Sequence, residues 1–228
     1  MTELSILIPV LRRPDNVAPQ VANIVDSMPS DVQFEIVFIS TNGDTDEHDA
    51  ILQQAARKDV TVRSLSMTPA SLGDYALKIN YGVQSTTSQW VFLGADDLNF
   101  RPGWYHHAVA ASAATGCRVV GTQDMGNRRV IRGQHATHSL VNRSYIVEMG
   151  TIDEPGKTLH EGYQHEFVDD EFVETAKHRG EFVFANRSIV EHLHPLWGKA
   201  KTDALYDGQR RRMNQGRRVY TKRKPLWR

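Results

Sequence analysis

The stretch Leu4 to Asn16, "LSILIPVLRRPDN", sets the fold. Its first seven residues, "LSILIPV" (4–10), are almost continuously apolar, the pattern of a strand covered on both faces. Pro14 and Asp15 then open a helix. Proline fits the first helical turn, where its missing N–H removes no bond, and an acid there meets the positive end of the helix dipole. The helix is expected to run to about Met28, with Pro29 as its stop. A buried strand feeding a helix through a short loop is the first half of a βαβ unit.

The alternation continues outward. "FEIVFIS" (34–40) reads as a second strand, "TNGDTD" (41–46) as a turn, "EHDAILQQAARK" (47–58) as an amphipathic helix and "VTVRSLSM" (60–67) as a third strand. Gly73 and Asp74 precede a helix over roughly 75–87, and "WVFLGA" (90–95) reads as a fourth strand. Strands separated by helices of this length form a mostly parallel α/β sheet, and such sheets bind ligands at the carboxyl ends of their strands. The 41–46 turn and Asp96–Asp97 both lie at such ends and are expected to face one crevice. Beyond Pro102 and Gly103 an Ala-rich helix runs to about Thr115. "RVVGTQD" (118–124) and "RRVIRG" (128–133) read as strands, and residues 150–168 as a loop. A helix over 169–179 stops at Gly180, and "EFVFANRSIVEHLH" (181–194) reads as one strand or two. A basic helix over about 202–218 precedes an irregular end.

The chain has 228 residues, 40% hydrophobic and 24% charged, which suits one soluble core. No run approaches the roughly 20 apolar residues of a membrane span. The one cysteine, Cys117, has no internal disulfide partner, reads as a buried inert thiol, and a reducing cytoplasm is the expected setting. Net charge is zero, but residues 199–228 carry 11 Lys and Arg against Asp203 and Asp207. A tail of this kind is a solvated helix or a contact for nucleic acid, anionic lipid or a phosphate-bearing ligand.

Three constellations carry candidate chemistry. Asp96 and Asp97 end a buried strand, where adjacent carboxylates suit a hard divalent cation or a helix-capping role. Asp169 shares a helical face with Phe172, Val173 and Ala176, so it points inward, as a cap or as a general base in a partly dry cleft. Asp170 falls on the polar side with Glu174 and Lys177. His192 and His194, at i and i+2 on a strand, share a face and are metal-ligand or structural candidates. Trp104 and Trp197 flank these motifs and either stack a sugar face or fill core. No Walker, dinucleotide or serine-hydrolase motif is present.

In this order the pieces resemble family 2 of the GT-A fold glycosyltransferases, over roughly residues 4–200. "SILIPVLRR" stands where that family has its first strand, "STNGDTDEH" follows the second, and "GDYALKINYG" matches its helix through Gly73, Lys78, Asn80 and Gly82. "FLGADD" stands for "FLDADD", with Gly94 in place of the first Asp, and "VDDEFVETAKHRG" stands for the catalytic-base helix, with Val168 in place of the preceding Glu. "HLHPLWGKAKTDALY" is similar to small bacteriophage members.

The resemblance implies a GT-A catalytic domain over 1–198, with a nucleotide-sugar half (1–97) and an acceptor half (98–198), followed by a basic helix and tail (199–228). It implies a nucleoside-diphosphate sugar donor, Mn2+ or Mg2+ on Asp96 with Asp97 and His192 or His194 nearby, and Asp169 as the base of an inverting transfer. Donor contacts would come from Pro9, Val10, Arg12, Thr41, Asn42, Asp44, Lys78 and Asn80, with Lys199 and Lys201 adding positive charge to the phosphates. The 150–168 loop would cover the acceptor, a hydroxyl on a glycan, protein or nucleic acid. His160, Glu161, Tyr163, Asp170 and Trp104 are its expected neighbours. Rival readings are a nucleotidyltransferase, for which "PVLRRPDN" lacks the usual glycine, and a non-catalytic protein that binds sugar nucleotide, or nucleic acid through its basic C-terminus.

Overall fold

The computed structural model describes residues 2–69, 74–202 and 209–227. Strands β1 (Leu4–Pro9), β2 (Phe34–Thr41), β3 (Thr61–Met67) and β4 (Trp90–Leu93) alternate with helices α1 (Pro14–Ser27), α2 (Thr45–Ala55) and α3 (Tyr75–Gln84). Then come β5 (Leu98–Phe100), α4 (Trp104–Thr115), β6 (Val119–Gln123), α5 (Arg128–Ile131), β7 (Ser139–Asn142), α6 (Arg143–Glu148), α7 (Val168–His178), β8 (Phe182–His192) and α8 (Gln209–Arg223). The sheet order is β3-β2-β1-β4-β7-β6-β8-β5. β3, β2, β1 and β4 run parallel, and β7 then pairs antiparallel with both β4 and β6. The result is the expected α/β architecture, a mixed and mostly parallel sheet between helical layers.

Alternation along each strand sorts side chains between two cores. Ile6 and Ile8 of β1 meet Val17, Val21 and Ile24 of α1, together with Phe92, Phe100 and Trp104. Leu7 and Leu93 face the other way, toward Ile79 and Val83 of α3 and Phe172 and Val173 of α7. Each such side chain contributes about 1.5–3 kcal/mol when fully buried. Trp104 is among them: it is fully buried, its ring 5.0 Å from both Phe92 and Phe100, so it fills core and is unavailable to an acceptor.

Two sequence expectations change. "RRVIRG" forms the short helix α5, not a strand, because the Asn127 side chain accepts the Arg129 N–H and caps a helical turn. The elements β5, β7 and α6 carry no readable period, being three to six residues long. Cys117 is half-buried at its helix–strand junction. Gly73 and residues 203–208 of the expected basic helix lie outside the described residues.

Gly94 has a steric reason. Its N–H donates to the Leu7 carbonyl at 2.9 Å, and a Cβ on residue 94 would stand 2.7 Å from that same oxygen. The backbone of β4 leaves the sheet in contact with β1, with no room for a side chain.

α8 is joined to the body. Arg223, buried, pairs with buried Glu171 of α7 at 2.8 Å and with Asp153 at 2.6 Å. Tyr220 lies against the Phe167 ring, and a Cβ on Gly216 would collide with the Glu166 carbonyl. No helix of the described residues is long and apolar enough to cross a membrane. Arg223→Ala leaves Glu171 buried without its cation and is expected to cost roughly 3 kcal/mol in urea denaturation, the scale for breaking one side of a buried pair. Arg223→Ala with Glu171→Gln should recover some of that loss, and an unchanged midpoint in the single variant would show that the pair holds nothing.

Candidate active site

β4 ends at Leu93, and the chain turns so that Asp96 and Asp97 sit at the carboxyl edge of the parallel strands, their side chains only 11% and 14% exposed. One guanidinium serves both: Arg13 Nη1 is 3.1 Å from Asp96 Oδ1 and 3.9 Å from Asp97 Oδ2. His192 Nε2, at the end of β8, stands 3.3 Å from Asp97 Oδ1. The two carboxylates differ in their acidity. Burial, then the charge of Asp97, pushes the Asp96 carboxyl up to about 7. At Asp97 burial acts in the same direction but is overcome by the hydrogen bond and charge of His192, which hold it down to about 2. Of the two, Asp96 is the less compensated. Hard carboxylate oxygens and an imidazole nitrogen are donors of the type that suits Mn2+ or Mg2+.

His194 is placed differently. It lies past β8 and accepts the Leu196 N–H on Nδ1, capping the 3₁₀ turn Pro195–Trp197. Burial, then the charge of His192, lowers it to about 4. His192 stands within ion-pair distance of Asp97, and His194 feels the Asp97 charge. Trp197 packs against both imidazoles and over Gly126.

The loops after β1 and β2 gather most of the expected donor contacts. The Arg12 N–H donates to Asp44 at 2.8 Å, and the Thr41 hydroxyl to Asp74 at 3.3 Å. Asn42 accepts the Ser66 hydroxyl at 2.6 Å. Lys78 is buried; its ammonium donates to the Val10 carbonyl at 2.6 Å and pairs with Asp74 at 2.8 Å. It therefore braces the floor beneath Pro9 and Val10, and its charge is already matched.

The Asp169 side chain opens α7 and is 28% exposed, at the rim of a cleft shared with Tyr75, Leu93, Thr137 and Phe172. Buried His135 stands behind it, Nε2 3.0 Å from Oδ2. Burial of Asp169 would raise its carboxyl, but the hydrogen bond and charge of His135 prevail and hold it below the usual range. The imidazole is correspondingly raised despite its own burial. Asp170 is occupied by Arg129 at 2.5 Å. Tyr75 spans the two halves: its hydroxyl donates to the Gly94 carbonyl at 3.2 Å, and it feels the charges of both Asp169 and Asp97. His138, fully buried and lowered to about 4 by burial and then by His192, also feels both. It remains neutral and donates from Nδ1 to the Leu93 carbonyl at 3.0 Å.

Several expected site residues stand elsewhere. Asn80 is buried and clips the 158–161 segment, accepting from the Thr158 and Leu159 N–H groups and donating to the Leu159 carbonyl and Glu161. Tyr163 is buried and donates to Glu171 at 2.7 Å. His160 packs edge-on against Tyr163. Lys199 is matched by Glu191 at 2.8 Å, while Lys201 is exposed. These contacts pin the 150–168 loop and β8 instead of facing a ligand. Among the described residues, the groups whose ligand atoms lie close enough together to grip an ion are His135–Asp169–Asp170 and Asp153–Glu154–His160; Asp96, Asp97 and His192 do not form such a group as they stand. The first serves Asp169 itself, and the acids of the second are taken by Lys157 and Arg223.

Sequence reasoning missed Arg13, Tyr75, His135 and His138. Only Arg13 left a signal, as the second basic residue after β1. Backbone strain also marks the site: Arg12 (φ 54°), Met125 (φ 58°) and Phe167 (φ 72°) are the non-glycine residues in the left-handed region among the described residues. They fall in the loop after β1, in the loop whose carbonyl holds Lys199, and immediately before α7. Such residues cost about 1–3 kcal/mol each and gather at functional sites.

Comparison with known proteins agrees with this geometry. No curated protein matches the chain in sequence. Among solved structures, the mannosyltransferase PcManGT from Pyrobaculum calidifontis, in complex with GDP-Man and Mn2+, superposes with TM-score 0.68 at 14% identity, covering 99% of this chain and 68% of that one. S. aureus TarS in complex with UDP gives 0.66 at 12%, covering 82% and 59%. Glucosyl-3-phosphoglycerate synthase from Mycobacterium tuberculosis, with Mn2+, UDP-Glc and phosphoglyceric acid, gives 0.67 at 12%, covering 99% and 80%. At these identities the likeness is one of fold, the GT-A fold. The family model for glycosyl transferase family 2 matches residues 5–170, from the first residues of β1 to the acidic turn of α7, and the chain belongs to that family.

Proposed function

We propose that the protein transfers a sugar from a nucleoside diphosphate to an acceptor hydroxyl with inversion at the anomeric carbon. The observation that carries this is Asp169, a carboxylate held ionised by a buried imidazole at the rim of a cleft lined by Tyr75 and Leu93, where Tyr75 feels the charges of both Asp169 and Asp97. Solved relatives with GDP-Man, UDP or UDP-Glc support a nucleotide-sugar donor.

The nucleobase and ribose would rest on Pro9, Val10 and Arg12 and on the Thr41–Asp44 turn. Asp96 and Asp97, with His192 behind, would hold Mn2+ or Mg2+, which when bound neutralises the charge building on the diphosphate. Arg13, already between the two acids, adds a fixed positive charge there. On the acceptor side, Asp169 takes the hydroxyl proton as oxygen attacks the anomeric carbon. The new C–O bond forms as the bond to the diphosphate breaks, and the diphosphate leaves with the bonding electron pair. Attack opposite the leaving group inverts the centre. Tyr75 and Leu93 form the wall between the two halves and keep water from the reacting carbon.

Asp169→Asn is expected to lower kcat by roughly 10²–10⁴, the usual worth of a general base, while the donor still raises the melting temperature. Turnover close to wild type in that variant would remove Asp169 from the role. EDTA is expected to abolish transfer and Mn2+ to restore it, with Asp96→Asn needing more metal; full activity of the metal-stripped protein would refute the cation site.

His135→Gln gives the pH test. In the wild type the Asp169 carboxyl is lowered, so at saturating Mn2+, where protonation of Asp96 is not limiting, the acid limb of the rate profile lies below the ordinary carboxylate value of about 3.9. Without the imidazole, burial acts unopposed, the carboxyl rises and the limb moves to higher pH. Stability follows the same signs. The raised imidazole contributes fully below about 6.5 and loses its contribution as pH climbs through its folded value. The lowered carboxyl contributes above about 3.9 and loses its contribution as pH falls through its own folded value. The stability difference between wild type and His135→Gln should therefore peak at roughly pH 4–6.5. An acid limb that does not move would show that His135 only fills space.

A further inference from the structure

α8 lies beyond the family match, which ends at residue 170, and its charges are unused by the site above. Its inner face is accounted for by Gly216, Tyr220 and Arg223, which pack on Glu166, Phe167 and Glu171. Its outer face is different. At 100° per residue Arg211, Arg218 and Lys222 fall within about 40° of one another, a straight row roughly 16 Å long at 1.5 Å per residue. Arg211, Arg217, Arg218 and Lys222 are all exposed, and no carboxylate among the described residues pairs with them. Of the acids near this helix, Glu171 and Asp153 are taken by Arg223, Asp170 by Arg129 and Glu174 by Lys177, while Glu166 lies against Gly216 on the inner face. α5 adds exposed Arg128 and Arg132, while its Arg129 reaches Asp170. Both helices thus attach to the first turn of α7, which carries Asp169.

Like charges in a row repel one another and favour a polyanion laid along them, and guanidinium forks match phosphate oxygens. Asn214 and Thr221 complete the outer face, which has no apolar side chain to insert among lipids and no aromatic ring to stack on a base. Contact would fall on backbone phosphates, which are densest along a duplex. The geometry points to the outer face of α8 as a docking surface for a nucleic-acid duplex that carries the acceptor hydroxyl. This rests on the glycosyl-transfer reading, whose donor half is measured separately below.

The test uses the full chain, with anisotropy titrations across a salt series. The probes are a DNA duplex of about 20 base pairs of arbitrary sequence, well longer than the roughly 16 Å row, the corresponding single strand, and phosphatidylserine vesicles. Wild type should bind the duplex more tightly than the single strand, with affinity falling steeply in salt. Arg211→Gln, Arg218→Gln and Lys222→Gln together should lose roughly 10²–10³-fold at 0.1 M salt and flatten the log–log salt slope by about 3. Arg218→Glu alone should weaken binding at least tenfold. The thermal shift given by UDP- or GDP-sugars with Mn2+ should not change in either variant. Absent duplex binding, duplex binding indifferent to these substitutions, preference for the single strand, or binding to vesicles alone would each overturn the proposal while leaving the donor reading intact. Failure of every sugar nucleotide to shift the wild type would instead remove the transfer reading, whatever the duplex does.

Discussion

Two carboxylates at the end of a buried strand impose the constraint around which the site is organised. Adjacent anions shielded from water repel each other and need compensation. Arg13 and His192 supply some of it, one from the loop after β1 and the other from the end of β8. β1 must therefore end where its loop can turn Arg13 back, and β8 must end level with Asp97. The His192 N–H donates to the Asp124 carbonyl, and the Asp124 side chain is itself buried and holds the Gly126 and Asn127 N–H groups and the Thr137 hydroxyl. The positions of β8, the loop after β6 and the segment before β7 are thus tied to one charge problem.

A second charge problem, at Asp169, is solved locally. His135 and Arg129 each take one carboxylate of the pair that opens α7. The two problems meet at Tyr75 and His138, neutral groups that feel both sets of charge without adding to either. A neutral wall between two charged ones keeps the two charge clusters from raising each other's electrostatic cost.

The parallel half of the fold was legible because strands buried on both faces are continuous apolar runs, and Pro14 and the 41–46 turn marked the joints. β5 and β7 were not, since "LNF" and "SLVN" are too short to show a period. Asp96, Asp97 and Asp169 were legible as acids at element ends, where position alone limits orientation. His135 was not, because a single imidazole in an irregular stretch becomes meaningful only once α7 lies beside it. Asn80 and Trp104 looked available for ligand because a sequence gives their chemistry but not their burial; one is consumed by the backbone of the 158–161 segment and the other by the core. Lys78 and Lys199 share this lesson, being cations whose counter-ions come from elsewhere in the chain.

Gly94 limits how much charge the site can ever hold. The Leu7 carbonyl occupies the space a side chain would need, so β1 and β4 approach more closely than an acidic residue at 94 would allow. Backbone sterics deny the strand end a third acid at residue 94, independent of selection on the carboxylates themselves. Any variant that added a third ligand there would first have to push β1 and β4 apart at the centre of the sheet. The electrostatic capacity of the site is, in this sense, set by the spacing of its scaffold.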